Sequence, residues 1–322
     1  VFGPGYITPG VNASGVKNGY MDVFKDNGVS LKVAIEGDTV DTYALFSDYT
    51  ETEDLGALGG GSGRSMIIEG NGHRFRGGTH KGISVDAGKT LTLEAMTEIS
   101  GWNDYVVDNS GTLNLKDVTF SGNTKDVNNA GTMNIHGSVT MQKLTGAGTT
   151  EIHNGAKLDL DGDYSATQTF KGDGTLNFKG DASVAVTQLG TSTDNLAVTI
   201  AGDKILNLTG TGTLYKTISG AGKINIGNGN TITTDANNLQ VAVENDGNLK
   251  LTSTEEMNLA KDITGGGTLE FAKSVKVESD KINQNAITVD ENVAIDVYKD
   301  LTATGGSITN NGSILIDIDN LK

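Results

Sequence analysis

Apolar and polar residues alternate one by one along most of this chain, in short bursts that open on a glycine. The clearest bursts are 111–115 (GTLNL), 131–135 (GTMNI), 148–152 (GTTEI), 174–178 (GTLNF), 222–226 (GKINI), 247–251 (GNLKL) and 267–271 (GTLEF), with looser copies from Gly88, Gly202, Asn292 and Gly312. Successive copies start 17 to 28 residues apart, the length of one solenoid coil rather than of one hairpin. A strand sends neighbouring side chains to opposite faces, so Leu113 and Leu115 face one way while Thr112 and Asn114 face the other. The same inward pair recurs at Met133 and Ile135, Leu176 and Phe178, Ile224 and Ile226, Leu249 and Leu251, and Leu269 and Phe271. Each coil has a second alternating stretch, such as Val118 to Phe120, Val139 to Met141, Leu158 to Leu160, Val184 to Val186 and Val275 to Val277. Equivalent strands stacked in parallel place these pairs in ladders down an apolar interior. An antiparallel sandwich also has closely spaced strands, but has no cause to repeat one motif about every 20 residues.

The pattern predicts an all-β parallel β-solenoid of roughly 11 to 12 coils, on the order of 55 Å long at the usual strand spacing. The opening glycine is expected to take positive φ at a tight corner, with Asn292 as its substitute. The only two prolines, Pro4 and Pro9, lie outside the repeat, where no amide is owed to a neighbouring coil. Residues 1–64 lack the motif and carry Tyr20, Phe24, Tyr43, Phe46 and Tyr49. They are expected to form an N-terminal cap ending in a flexible Gly59 to Gly63 linker, with the β-solenoid over 65–322. At the other end SILIDIDNL (313–321) is a strongly alternating strand, and Ile314, Ile316 and Ile318 make a candidate interaction edge.

Composition narrows the function classes. Glycine numbers 45 and aromatics make up 5%, which a disordered chain could share, but disorder gives no reason for alternation. A net charge of −16 disfavours an electrostatic grip on nucleic acid or anionic lipid. There is no cysteine, hence no disulfide or thiolate metal site. No apolar run reaches the roughly 18 residues of a membrane span, so no membrane insertion by this segment is expected. Any signal peptide is expected to have been removed already.

Candidate chemistry is sparse. His136 and His153 each follow the inward Ile of their motif, which stacks them on adjacent coils beside Lys116 and Lys179; two imidazoles can share a metal or titrate near neutrality, but the lysines oppose a cation. Asp159, Asp161 and Asp163 (LDLDGDY) suggest a calcium loop, yet the glycine falls at the fourth position and no glutamate follows at the twelfth, so alternation explains them. GGGSGRS (59–65) lacks the lysine and glycine spacing of a phosphate loop. Trp102, the only tryptophan, and Tyr105 sit at a coil corner and are the candidates for a ligand contact. Asn114, Asn134, Asn177, Asn207 and Asn225 share one outward register and predict an amide ladder. No cofactor, metal or catalytic residue is expected.

The GTLNL coils, with GNGHRFRG (70–77) and GAGKINIGNGNTI (220–232), resemble passenger domains of bacterial autotransporters and related pectin-lyase-like surface proteins over about residues 65–320. The resemblance implies a right-handed parallel β-helix, export to the bacterial surface, and adhesion or an architectural role. The family's C-terminal barrel is not in this sequence. Polysaccharide lyases and hydrolases share the fold, but their clustered Asp and Gly-His-Gly segments have only Gly72-His73-Arg74 as a near match. The first expectation is therefore a non-enzymatic secreted or surface rod of adhesin type, contacting a host or neighbouring cell. The second is a subunit that meets copies of itself end to end as a filament, sheath or layer. A polysaccharide lyase or hydrolase comes third.

Overall fold

The structure, a computed structural model, describes residues 11–12, 15–16, 20–22, 30–38, 40–278, 280–299 and 301–316. They form an all-β parallel β-solenoid of about 12 turns. Its two compact units, 1–175 and 176–322, are described in turn. Among the described residues, helix is confined to Leu31–Glu36 and the 3₁₀ turns Val186–Gln188 and Ala236–Asn238.

In the first unit the strands Ser65–Glu69, Thr90–Ser100, Thr112–Ser121 and Thr132–Met141 stack in parallel and in register. Leu91, Leu113 and Met133 follow one another in one buried rank, and Leu93, Leu115 and Ile135 in the next. Ala95 and Asp117 interrupt the long strands with positive φ, and the register shifts nearby, between Lys116 and Val118 against Thr132–Met141 and between Val118 and Phe120 against Thr90–Ser100. Beyond these positions Val118 and Phe120, then Val139 and Met141, are buried again. A second sheet stacks Ile83–Val85, Tyr105–Asn109, Lys125–Asn129 and Leu144–Thr145.

The second unit repeats the scheme. Lys223–Ile226, Ala242–Asn245 and the first half of Ile263–Phe271 form one ladder. Thr231–Thr234, Asn248–Leu251 and the second half of Ile263–Phe271 form another, continued by Ile282–Val289 and Leu301–Asn310. Leu249, Leu269 and Ile287 make a buried rank beside Leu251, Phe271 and Val289. All six inward pairs read from the motif are buried.

Three local features depart from the expectations. The motif glycines Gly111, Gly131, Gly148, Gly247 and Gly267 do not have positive φ. They are needed because the coils touch: a Cβ on Gly131 would lie 2.2 Å from the Gly111 carbonyl oxygen, and one on Gly267 2.2 Å from that of Gly247. Positive φ occurs two residues earlier, at Gly146, Gly172, Gly220 and Gly265. Asn292 does take φ 60°. Second, the start of the expected Gly59–Gly63 linker packs against the helix end, where the Gly59 amide donates to the Ile35 carbonyl and a Cβ on Gly59 would overlap the Glu36 backbone. Third, parallel pairing extends into the segment read as a cap, where Tyr20–Asp22 pairs with Thr42–Ala44 and that with Ser65–Glu69.

Candidate functional site

The outward ladders use their polar groups on one another. Asn134 donates to Asn114 at 2.9 Å and Asn114 to Thr92 at 3.1 Å, while Asn225 donates to Asn207 at 2.7 Å and the Thr199 hydroxyl to Asn177. Charge pairs also run from coil to coil, as in Lys171 with Glu151, Lys125 with Asp104, and Lys250 between Glu270 and Asp290. The expected outward Asn ladder is thus present in hydrogen-bonded segments.

Trp102 is not a ligand platform. It is 1% exposed, its ring 5.0 Å from that of Phe75 in an edge contact, and Gly77 leaves the space for it, since a Cβ there would stand 2.3 Å from the indole. A corner tryptophan buries a large apolar area when the neighbouring coil closes over it, which the sequence alone cannot tell from exposure. Tyr105 is half-buried, with the Lys125 ammonium 4.3 Å from its ring centre and its hydroxyl accepting from Thr145.

His136 and His153 do stack, ring centres 4.2 Å apart and planes 13° from parallel. Lys116 is the register partner of His136. Burial, then the neighbouring His153, then Lys116 hold the His136 pKa below the ordinary imidazole value, and Glu151 partly opposes them. His73 lies 3.9 Å from Asp48, which also pairs with Arg76, while Arg74 pairs with Glu98. Asp159 is 2% exposed and 3.2 Å from Lys157, so this aspartate is covered rather than solvent-facing as alternation implied. Among the described residues no three or more His, Asp or Glu are grouped to hold a metal.

At the expected interaction edge, Ser313–Ile316 pairs with Ala294–Val297, setting Ile314 against Ile295 and Ile316 against Val297. Among the described residues no strand covers the outer side of Ser313–Ile316 or of Leu301–Asn310. Ile308 continues the Leu269–Ile287 rank but is 48% exposed, and Leu315 and Ile316 are 60% and 51% exposed. Ile318 lies outside the described residues.

Two features were not read from the sequence. One is a buried amide ladder: Asn109 donates to Asn129 at 2.8 Å and Asn129 to Gln168 at 2.8 Å, with a counterpart from Asn245 to Gln284. Its signal is Asn two residues before the motif glycine, as in Asn109-Ser110-Gly111, Asn129-Ala130-Gly131 and Asn245-Asp246-Gly247. The other is an open hollow of about 420 Å³ beside Asp38, Asp41, Thr42, Ser65 and Ile67. There the buried Arg64 guanidinium donates to Asp41 and Ser65 at 2.8 Å each, and to the Val40 carbonyl.

No protein-family model, curated protein or solved structure matches this chain.

Proposed function

We propose that the chain is a non-enzymatic structural or adhesin-like β-solenoid of the bacterial cell surface, of the autotransporter-passenger type. The observation that carries this reading is the closure of the outward ladders on themselves: Asn134 on Asn114, Asn225 on Asn207, Lys250 between two acids. Side chains that bond along the stack stabilise a scaffold and present a repetitive polar surface. The test is two-armed. The purified chain, immobilised on beads, is expected to retain cells or their surface polymers, and to release no reducing or unsaturated ends from a panel of acidic and neutral polysaccharides. Cleavage lost in His73→Ala would overturn the non-enzymatic reading.

A second reading, end-to-end self-association, is favoured by the half-exposed Ile308, Leu315 and Ile316 on strands that no further strand covers among the described residues. No charged residue occurs over 301–316, so the charged side chains that often guard a sheet edge are absent from that stretch. Sedimentation separates the two: concentration-dependent assembly supports self-association, and a monomer at all concentrations rejects it.

A further inference from the structure

The sequence contains six Asn-Gly pairs, at 18, 27, 71, 154, 228 and 311, the first two outside the described residues. An Asn-Gly pair is chemically special because glycine has no side chain to hinder the approach of its own amide nitrogen to the preceding side-chain carbonyl. The structure separates the four described pairs into two classes.

Asn154 and Asn228 are exposed at the second position of four-residue turns, closed by the Ala156 amide on the His153 carbonyl at 2.9 Å and by the Asn230 amide on the Gly227 carbonyl at 3.2 Å. The following glycines, Gly155 and Gly229, have φ of 75° and 82°, and a Cβ on either would meet nothing within 4 Å. Positive φ at the third turn position alone marks a type II turn. The Gly155 and Gly229 amides donate to no group among the described residues, and neither asparagine side chain is engaged.

The other two pairs are locked. Asn71 has φ 50°, its side-chain amide donates to the Leu45 carbonyl at 3.0 Å, and the Gly72 amide donates to the Ala95 carbonyl at 2.7 Å. At the fourth pair the Gly312 amide donates to the Asn310 side chain at 3.1 Å, and a Cβ on Gly312 would lie 2.1 Å from the Val293 carbonyl oxygen.

We propose that Asn154 and Asn228 are sites of spontaneous conversion to isoaspartate and aspartate, while Asn71 and Asn311 are protected by the fold. The glycine amide nitrogen, losing its proton to solvent, bonds to the asparagine Cγ; the Cγ–Nδ2 bond breaks and ammonia leaves, giving a cyclic imide. Water then opens the ring at either carbonyl, yielding aspartate or its main-chain isomer. Each event adds one negative charge to a chain already at −16, and the isomer lengthens the turn backbone by one carbon. Asn71 must first surrender two hydrogen bonds, which slows it by roughly tenfold or more.

The experiment is incubation of the folded chain at mildly alkaline pH, with peptide mapping by mass spectrometry and isoaspartate-specific methyl labelling over time. A parallel sample is kept in denaturing urea. Conversion at 154 and 228 is expected to run at least about tenfold ahead of 71 and 311 in the folded chain, with the four rates converging in urea. Asn154→Gln and Asn228→Gln each erase the signal at their own site. Equal rates in the folded chain, faster conversion at 71 or 311, or lasting intactness of 154 and 228 would overturn the proposal.

Discussion

Asn129 is the middle rung of the buried amide ladder, and its removal is the sharpest test of what holds the first unit together. Its side chain accepts from Asn109 at 2.8 Å and donates to Gln168 at 2.8 Å and to the Thr149 carbonyl at 3.0 Å. Each such bond contributes about 1 kcal/mol net, so the set contributes about 3 kcal/mol. The emptied space adds about 1 kcal/mol, for an expected loss of about 4 kcal/mol in Asn129→Ala. The stranded partners are not left bare: Asn109 keeps the Thr132 carbonyl and Gln168 keeps the Thr150 hydroxyl, which holds the figure below that of fully orphaned groups. Urea unfolding followed by circular dichroism and by fluorescence of Trp102, the one tryptophan and buried in the same unit, reads the loss. The companion measurement is a double-mutant cycle with Asn109→Leu and Asn129→Leu, in which the pair is expected to couple by about 1 kcal/mol. A loss under about 1 kcal/mol in Asn129→Ala, or additivity within about 0.3 kcal/mol in the cycle, would refute the ladder as a stabilising element.

Three further outcomes are expected. Gly131→Ala forces a Cβ to within 2.2 Å of the Gly111 carbonyl oxygen, and the coils must part, costing about 2 to 4 kcal/mol by chemical denaturation; Gly122→Ala, with φ 61° and open space around it, costs only about 1 kcal/mol of backbone strain. Because the His136 pKa is lowered in the folded state, its contribution to stability is complete above the ordinary imidazole value of 6.5 and is lost as pH falls below it; a pH series of melting curves should show a decline that His136→Gln removes. Lys250→Met, between Glu270 and Asp290, should cost under about 1 kcal/mol at low salt and less still at high salt, measured by urea midpoints in both.

Much of the fold was legible because a solenoid repeats one local rule. Inward pairs such as Leu113 and Leu115 declare their face by period-2 alternation, and the coil spacing then leaves parallel stacking as the way to bury them. The candidate sites were less legible. At Trp102 the sequence alone points to a ligand contact, because burial at a corner depends on Phe75 and Gly77, which come from the preceding coil. The His136 and His153 stack was readable, since both follow the inward Ile of equivalent strands, but the lowered His136 pKa needed the actual burial.

Side-chain alternation together with the coil spacing is enough for the fold class, the inward ranks and the register of the outward asparagines. Which polar groups are buried, and why the motif glycines are glycine, follows only from how the coils pack on one another. Asn109, at the end of Tyr105–Asn109, is buried and bonds to Asn129, whereas Asn114, within Thr112–Ser121, bonds outward to Thr92, and Gly131 is required by a carbonyl twenty residues earlier in the chain. Such distances between successive coils arise only once the chain has wound back on itself.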